Sequence, residues 1–190
     1  MMDAPVEDPL KSDPRSDQEI IAAINDGDTD AFEVLYYRYR DWVVGLAFRF
    51  IGDRDLALDV LQETFLYFVR KFPGFTLRAQ FKTFLYPAIR NLSIAARRKA
   101  QRFQSDADEM ETMDALVASE SIASQDEPLT AALALLSGDH REVLLLRFVD
   151  GLSLAEIAEA INIPLGTVKS RLHNALACLR HDPRTKTCFD

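Results

Sequence analysis

Cysteine is scarce in this chain, which holds two in 190 residues, Cys178 and Cys188. His181 lies between them, but such a trio without a fourth Cys or His ligand makes a poor zinc site. We interpret both cysteines as free thiols in a reducing cytoplasm. No metal and no other cofactor is expected.

Long apolar runs are also missing. No stretch approaches the roughly 18 residues that a membrane span requires, so we expect no insertion into a membrane. Residues 1–16 are acidic, contain proline and have no apolar core, which excludes a secretory signal. We interpret them as the disordered leader of a cytoplasmic protein.

Acidic residues are absent from one long segment, and basic residues are absent from the next. Residues 70–104 carry nine Lys or Arg and no Asp or Glu, whereas residues 105–128 carry eight acids and no base. Residues 1–69 have a net charge of −9 and residues 129–190 are neutral, so the overall −8 hides this segregation. A chain divided in this way is suited to different partners at different places.

The apolar residues recur at helical spacing, and no stretch alternates as a strand would. Ser16 and Glu19 have the spacing of a capping box, which predicts a first short helix. A second helix is predicted from about residues 28–30 to Gly52, and Asp53 is placed to cap a third.

A fourth helix is predicted from about residue 80 to residue 102. Pro87 lies inside it and should cause a kink or a local break, because proline has no N–H to donate. The composition of the acidic segment that follows is typical of a flexible linker. The predicted fold is all-α, with two small helical bundles joined by a flexible acidic linker. The expected divisions are a leader (1–16), a first domain (17–104), the linker (105–128), a second domain (129–182) and a tail (183–190).

The second domain carries the pattern of a helix-turn-helix. A helix is predicted over residues 141–149, with Gly151 as its stop signal. Ser153 and Glu156 then form a second capping box, which opens the next short helix.

Asn162 follows that helix, and asparagine tolerates the left-handed conformation of a tight turn between helices. Pro164 is expected in the first turn of a further helix. Such a helix suits the major groove of DNA, where Arg, Lys and Asn read base edges and Ser or Thr hold phosphates. The alternative is a solvated face of a structural helix. Its outward side chains are predicted to be Thr167, Lys169, Ser170, Arg171, His173 and Asn174.

Four ordered segments together resemble one family. They are DLALDVLQETF (residues 55–65), FKTFLYPAIRN (81–91), EVLLLRFVDGLSLAEIA (142–158) and IPLGTVKSRL (163–172). In this order they are similar to the bacterial RNA polymerase sigma factors of the extracytoplasmic-function type (group IV). The resemblance implies a region 2-like domain over residues 17–104 and a region 4-like domain over residues 129–182.

The resemblance also implies partners and site residues. It implies docking on core RNA polymerase through Asp59, Gln62 and Glu63, whose helix face is acidic and suited to a basic partner helix. An ordinary solvated face is the alternative. Contacts to the minus-ten promoter element are expected from Arg78, Gln80, Lys82, Thr83, Arg90, Asn91, Arg97 and Arg98. Contacts to the minus-thirty-five element are expected from the six outward residues of the helix-turn-helix.

The implied function is to bind core polymerase and to direct promoter recognition, DNA melting and transcription initiation, under control of an anti-sigma factor. A free-standing helix-turn-helix transcriptional regulator is the alternative, although a sensor domain needs neither the acidic face nor the basic segment. An enzyme and a small-molecule substrate are not expected, since no nucleophile–base or metal constellation is present. Phe84, Pro87 and Ala95 depart from the family pattern, so the promoter sequence is not predicted.

Overall fold

The computed structural model describes residues 13–104 and 127–182. The predicted leader up to residue 12, the linker from 105 to 126 and the tail from 183 lie outside the described residues. Over the described part the chain forms helices and no strands, so the all-α prediction is confirmed. The eight helices are α1 (Asp17–Asn25), α2 (Asp30–Ile51), α3 (Arg54–Val69), α4 (Phe81–Gln104), α5 (Glu127–Ala134), α6 (Gly138–Phe148), α7 (Leu154–Ala160) and α8 (Leu165–His181).

Helices α1 to α4 form the N-terminal bundle, and local signals set their ends. The capping box of Ser16 and Glu19 is present at α1, and the Asp53 carboxylate accepts from two N–H groups at the start of α3. Gly52 ends α2 with φ 76°, a left-handed conformation that glycine adopts without strain. These three predictions are confirmed.

Residues 13–16 were assigned to the leader, but they are held against α2. The Arg38 guanidinium donates to the carbonyls of Asp13 and Arg15 at 2.9 and 3.1 Å, and pairs with the Asp17 carboxylate at 2.6 Å. This part of the predicted leader therefore belongs to the folded bundle.

Helix α4 continues through Pro87 without interruption, so the local break does not occur. Leu85, Tyr86 and Ile89 are fully buried on either side of the proline, while the ring itself faces outward. Packing of both halves against α2 and α3 outweighs the hydrogen bond that the proline cannot make.

Helices α5 to α8 form the C-terminal bundle, in which α7 and α8 are the helix-turn-helix. The capping box of Ser153 with Glu156 and the left-handed Asn162 (φ 53°) are as predicted. Two boundaries differ. Helix α6 begins at Gly138 because the Ser137 hydroxyl accepts from the His140 N–H, and Pro164 is the extended N-cap residue of α8, one place before its first turn.

The apolar cores of the two bundles meet. Leu46 and Phe50 of α2 and Leu145 and Leu146 of α6 line one small cavity of about 10 Å³ between the bundles. The buried apolar residues of both bundles form a single cluster. The two bundles are thus present as predicted, and their apolar cores are continuous.

Candidate nucleic-acid interface and acidic docking face

The acidic face is the exposed side of α3, formed by Asp55, Asp59, Gln62 and Glu63. Residues three and four apart on a helix are neighbours, and all four side chains are exposed. The opposite side of α3 is buried through Val60, Leu61, Phe65 and Phe68, which fixes the orientation of the face. The structure therefore brings the three predicted docking residues together on one surface.

Two exposed leucines extend the acidic face. Leu58 is 42% exposed and Leu66 is 47% exposed. Leu58 also lines a groove of about 500 Å³ between α2 and α3, together with Tyr36, Val44 and Phe48. Sequence reasoning missed these leucines, although both are out of phase with the buried stripe of α3.

The loop between α3 and α4 is fastened by Asn25 at the end of α1. Its amide oxygen accepts from the Gly74 N–H at 2.7 Å, and its amide nitrogen donates to the Phe75 carbonyl at 2.8 Å. The Phe75 ring lies 4.7 Å from the Phe84 ring, centroid to centroid. The loop is thus positioned by a side chain 50 residues earlier.

The predicted minus-ten residues do not share one open surface. Arg78, Gln80, Asn91 and Arg98 are exposed, Lys82, Arg90 and Arg97 are half-buried, and Thr83 is buried. Thr83 is 3% exposed, and its hydroxyl has no hydrogen-bond partner among the described residues. In this conformation Thr83 therefore offers no surface to DNA.

Two of the half-buried residues bind the C-terminal bundle. Lys82 Nζ donates to the main-chain carbonyl of Asp150 at 2.8 Å, and Arg90 Nε donates to Glu142 Oε1 at 3.1 Å. The Tyr86 hydroxyl donates to the same Glu142 oxygen. Burial, with the Glu142 carboxylate as a second cause, raises the pKa of Tyr86 well above its ordinary value.

The Asp150 carboxylate is the second point of attachment between the bundles. Arg49 Nη2 lies 2.7 Å from each of its oxygens, and Trp42 Nε1 donates to Oδ1 at 2.8 Å. The side chains of Arg49 and Asp150 are 8% and 2% exposed. Sequence reasoning missed these three residues because no local pattern relates positions 101 and 108 residues apart.

The outward side of α8 is largely open. Lys169, Ser170, His173 and Asn174 are exposed, whereas Thr167 and Arg171 are half-buried. Arg171 pairs with Asp139 of α6, and the Ser170 hydroxyl donates to the Thr167 carbonyl at 3.0 Å. Four of the six predicted residues are thus free of cover by the rest of the described chain.

Comparison with protein families matches both bundles. The model named "Sigma-70 region 2" matches residues 35–103, and "Sigma-70, region 4" matches residues 132–181. The ECF RNA polymerase sigma factor SigW of Bacillus subtilis is 32% identical over 177 residues, covering 86% of this chain and 95% of that protein. The sigma-E factor of Escherichia coli K12 is 30% identical over 177 residues, covering 86% and 92%.

The chain belongs to the extracytoplasmic-function sigma factors. Members of this family bind core RNA polymerase and direct it to promoters, so the resemblance seen in the four sequence segments is confirmed. Helices α2 to α4 carry region 2, and helices α5 to α8, which include the helix-turn-helix, carry region 4.

Two solved structures share the fold. CnrH in complex with the cytosolic domain of CnrY aligns with a TM-score of 0.62 at 21% identity, covering 85% of this chain and 93% of that one. RpoE of Bartonella quintana, in complex with the anti-sigma factor NepR, aligns with a TM-score of 0.58 at 22% identity, covering 80% and 96%.

Two further properties concern only the described residues. Within 13–104 and 127–182, no helix combines the length and apolar character needed to cross a membrane. In the same ranges no three His, Cys, Asp or Glu side chains gather in a way that could hold a metal ion. Cys178 is exposed, and Cys188 lies outside these ranges.

Proposed function

We propose that this sigma factor docks on core polymerase through the acidic face, engages the minus-ten element with α4 and the preceding loop, and reads the minus-thirty-five element with α8. The observation that carries this proposal is the acidic face itself, with Asp59, Gln62 and Glu63 exposed together on the helix of region 2. Carboxylates around an apolar patch suit a basic partner helix, because charge steers the encounter and apolar burial supplies affinity.

Charge supports the proposed DNA contacts. The nine basic residues of the segment 70–104 meet no acid in that segment, and no acid occurs from residue 160 to residue 181. Basic side chains supply the sequence-independent part of DNA affinity, and Arg171, Lys169 and Asn174 are residue types that read base edges in the major groove.

We further infer a non-enzymatic role in the cytoplasm and control by an anti-sigma factor. One structural relative is solved with an anti-sigma factor, which supports a partner of this class for this chain. A sigma factor acts by positioning polymerase, so it needs no reacting group of its own.

Reconstituted transcription tests the proposal. Core RNA polymerase is incubated with pooled promoter fragments, with and without the chain, and transcript start sites are mapped. Discrete starts should appear only with the chain. Specific duplex binding by the chain alone, without any effect on core polymerase, would instead identify a free-standing regulator.

Asp59→Ala tests the docking face in the same system. Loss of one carboxylate should weaken core binding about tenfold, which corresponds to about 1.4 kcal/mol. Glu33→Ala is the control, because Glu33 is an exposed acid of α2 outside the face. Wild-type affinity of Asp59→Ala in a titration of labelled chain with core would contradict the assignment.

A further inference from the structure

The exposed side of α8 consists of two rows of residues spaced four apart. Residues at this spacing are neighbours on a helix surface. The first row is Leu165, Lys169 and His173, and the second is Gly166, Ser170 and Asn174, all of them exposed. Both rows begin in the first turn of the helix, before Thr167, at which the predicted reading surface starts. Leu165 and Gly166 therefore belong to the same exposed side, although the proposed function gives them no role.

Leu165 is an apolar side chain that the fold leaves uncovered. It is 41% exposed and lies outside the apolar core that residues 13–104 and 127–182 form, whereas Ile163 and Val168 on either side of it pack into that core. A single exposed leucine is common on protein surfaces, so its exposure alone indicates nothing. Its position is the informative feature, because Leu165 is the first residue of α8. In a helix-turn-helix, the N-terminal residues of the second helix contact base edges in the major groove.

The major groove offers one apolar group to a leucine. Base edges present hydrogen-bond donors and acceptors there, and the 5-methyl group of thymine is the apolar exception. The four polar residues of the two rows can form hydrogen bonds with base edges or phosphates, but a leucine side chain cannot. The chemistry of Leu165 therefore selects a thymine methyl group.

Gly166 leaves the neighbouring surface without a side chain. A Cβ atom built at Gly166 would meet no atom of the described chain within 4 Å, and its backbone is helical. Neither packing nor backbone conformation therefore requires glycine at this position, and glycine stabilises a helix less than alanine does. What glycine does provide is close access to the backbone, which a base edge beside Leu165 can use.

We propose that Leu165 and Gly166 form an apolar subsite for the 5-methyl group of a thymine in the upstream promoter element. Leu165 covers the methyl group, and the missing side chain of Gly166 lets the base edge approach the first turn of α8. The inference rests on the proposed function, in which α8 reads the minus-thirty-five element, and it adds a base preference to that reading.

Deoxyuridine tests the subsite, because it is thymine without the 5-methyl group and forms the same base pair. The probe is the promoter duplex that gives the strongest discrete start in reconstituted transcription, with each thymine of its upstream element replaced in turn. Its affinity for core polymerase carrying the chain is measured by competition with the labelled unmodified duplex. Replacement at one or two thymines should lower the affinity about threefold, since one buried methyl group contributes a factor of about this size.

Leu165→Ala should abolish that response. Its affinity for the unmodified duplex should fall to the value that wild type shows with deoxyuridine, and the replacement should then have no further effect. Leu135→Ala is the matched control, because Leu135 is 58% exposed in the same bundle but lies outside α8. The control should keep the wild-type response to deoxyuridine. A response of undiminished size in Leu165→Ala would overturn the inference.

Gly166→Ala separates binding from folding. Its midpoint of thermal unfolding should equal or exceed that of wild type, because alanine favours a helix. Its promoter affinity on core polymerase should nevertheless fall, together with the response to deoxyuridine. Unchanged affinity, or a loss of affinity that comes with a lower unfolding midpoint, would overturn the role of Gly166.

Failure of the inference and failure of the proposed function give different results. Wild-type chain that shows no preference among upstream sequences on core polymerase would overturn the reading by α8, and the subsite with it. A clear preference among upstream sequences, without any thymine whose methyl group matters, would overturn the subsite alone.

Discussion

Tyr86 sits at the centre of the contact between the bundles, and its phenol is also a titratable group held away from water. It is 1% exposed, and its hydroxyl donates to Glu142. Burial first, and the Glu142 carboxylate second, raise the pKa of Tyr86. Tyr39 has a raised pKa as well, through burial and its hydrogen bond to Asp17.

These shifts predict an alkaline loss of stability. A group whose pKa is higher in the folded state stabilises the fold fully below its unfolded value, which for tyrosine is about 10, and less as the pH rises above it. The free energy of unfolding in urea should therefore fall between pH 9 and pH 11. Tyr86→Phe should make that fall smaller, and adding Tyr39→Phe should reduce it further. Parallel pH profiles for wild type and both variants would contradict the assignment.

Individual residues differ in how far the sequence could predict them. Asp53, Ser153 and Asn162 act on backbone groups within three residues, so their roles follow from the residue type and its neighbours. Trp42 and Asp150 are 108 residues apart, and only the packed bundles bring them together. Thr83 was expected to contact DNA, because charge and spacing alone do not reveal that its side chain is buried.

At the scale of elements, the helix ends that carry a strong local signal were predicted well. The two capping boxes and Gly52 are found where the sequence indicates. Helix α4 is the opposite case, because its continuation through Pro87 depends on burial along both halves. Local rules fix where a helix starts, while tertiary packing decides whether an unfavourable residue interrupts it.

The capping box of α7 gives a test at this scale. Ser153→Ala removes the acceptor of the Glu156 N–H, which should cost about 1 kcal/mol of stability. The matched control is Thr29→Ala, since Thr29 is the N-cap residue of α2 but its side chain makes no capping hydrogen bond. Thermal unfolding followed by circular dichroism compares the two. Equal losses for both variants would mean that the hydroxyl of Ser153 contributes nothing specific.

At the scale of the whole molecule, the segregated charges meet in the contact between the two bundles. The basic segment 70–104 supplies Lys82, Tyr86 and Arg90 to the contact between the bundles. The C-terminal region, which is neutral overall, supplies Glu142 and Asp150, which meet them. The sequence predicted the segregation and the two bundles. It did not predict the contact between the bundles, because nothing in the local sequence distinguishes Glu142 and Asp150 from surface charges of a helix-turn-helix domain. An acid close to a helix-turn-helix can thus form its hydrogen bonds with the neighbouring domain.

The contact between the two bundles also predicts how the chain unfolds. The apolar cluster runs through both bundles, so wild type should lose Trp42 emission and helical circular dichroism at the same urea concentration, as one cooperative unit does. Glu142→Ala/Asp150→Ala removes the side-chain bonds of these two acids to the N-terminal bundle. The smaller C-terminal bundle, which buries less surface, should then unfold first. The circular dichroism transition should then begin at lower urea than the Trp42 transition. The charge-matched control Glu33→Ala/Glu63→Ala, which removes two exposed acids of the N-terminal bundle, should keep a single midpoint. Coincident transitions in Glu142→Ala/Asp150→Ala would show that the apolar packing around Leu46, Phe50, Leu145 and Leu146 is enough to couple the bundles without the bonds of the two acids.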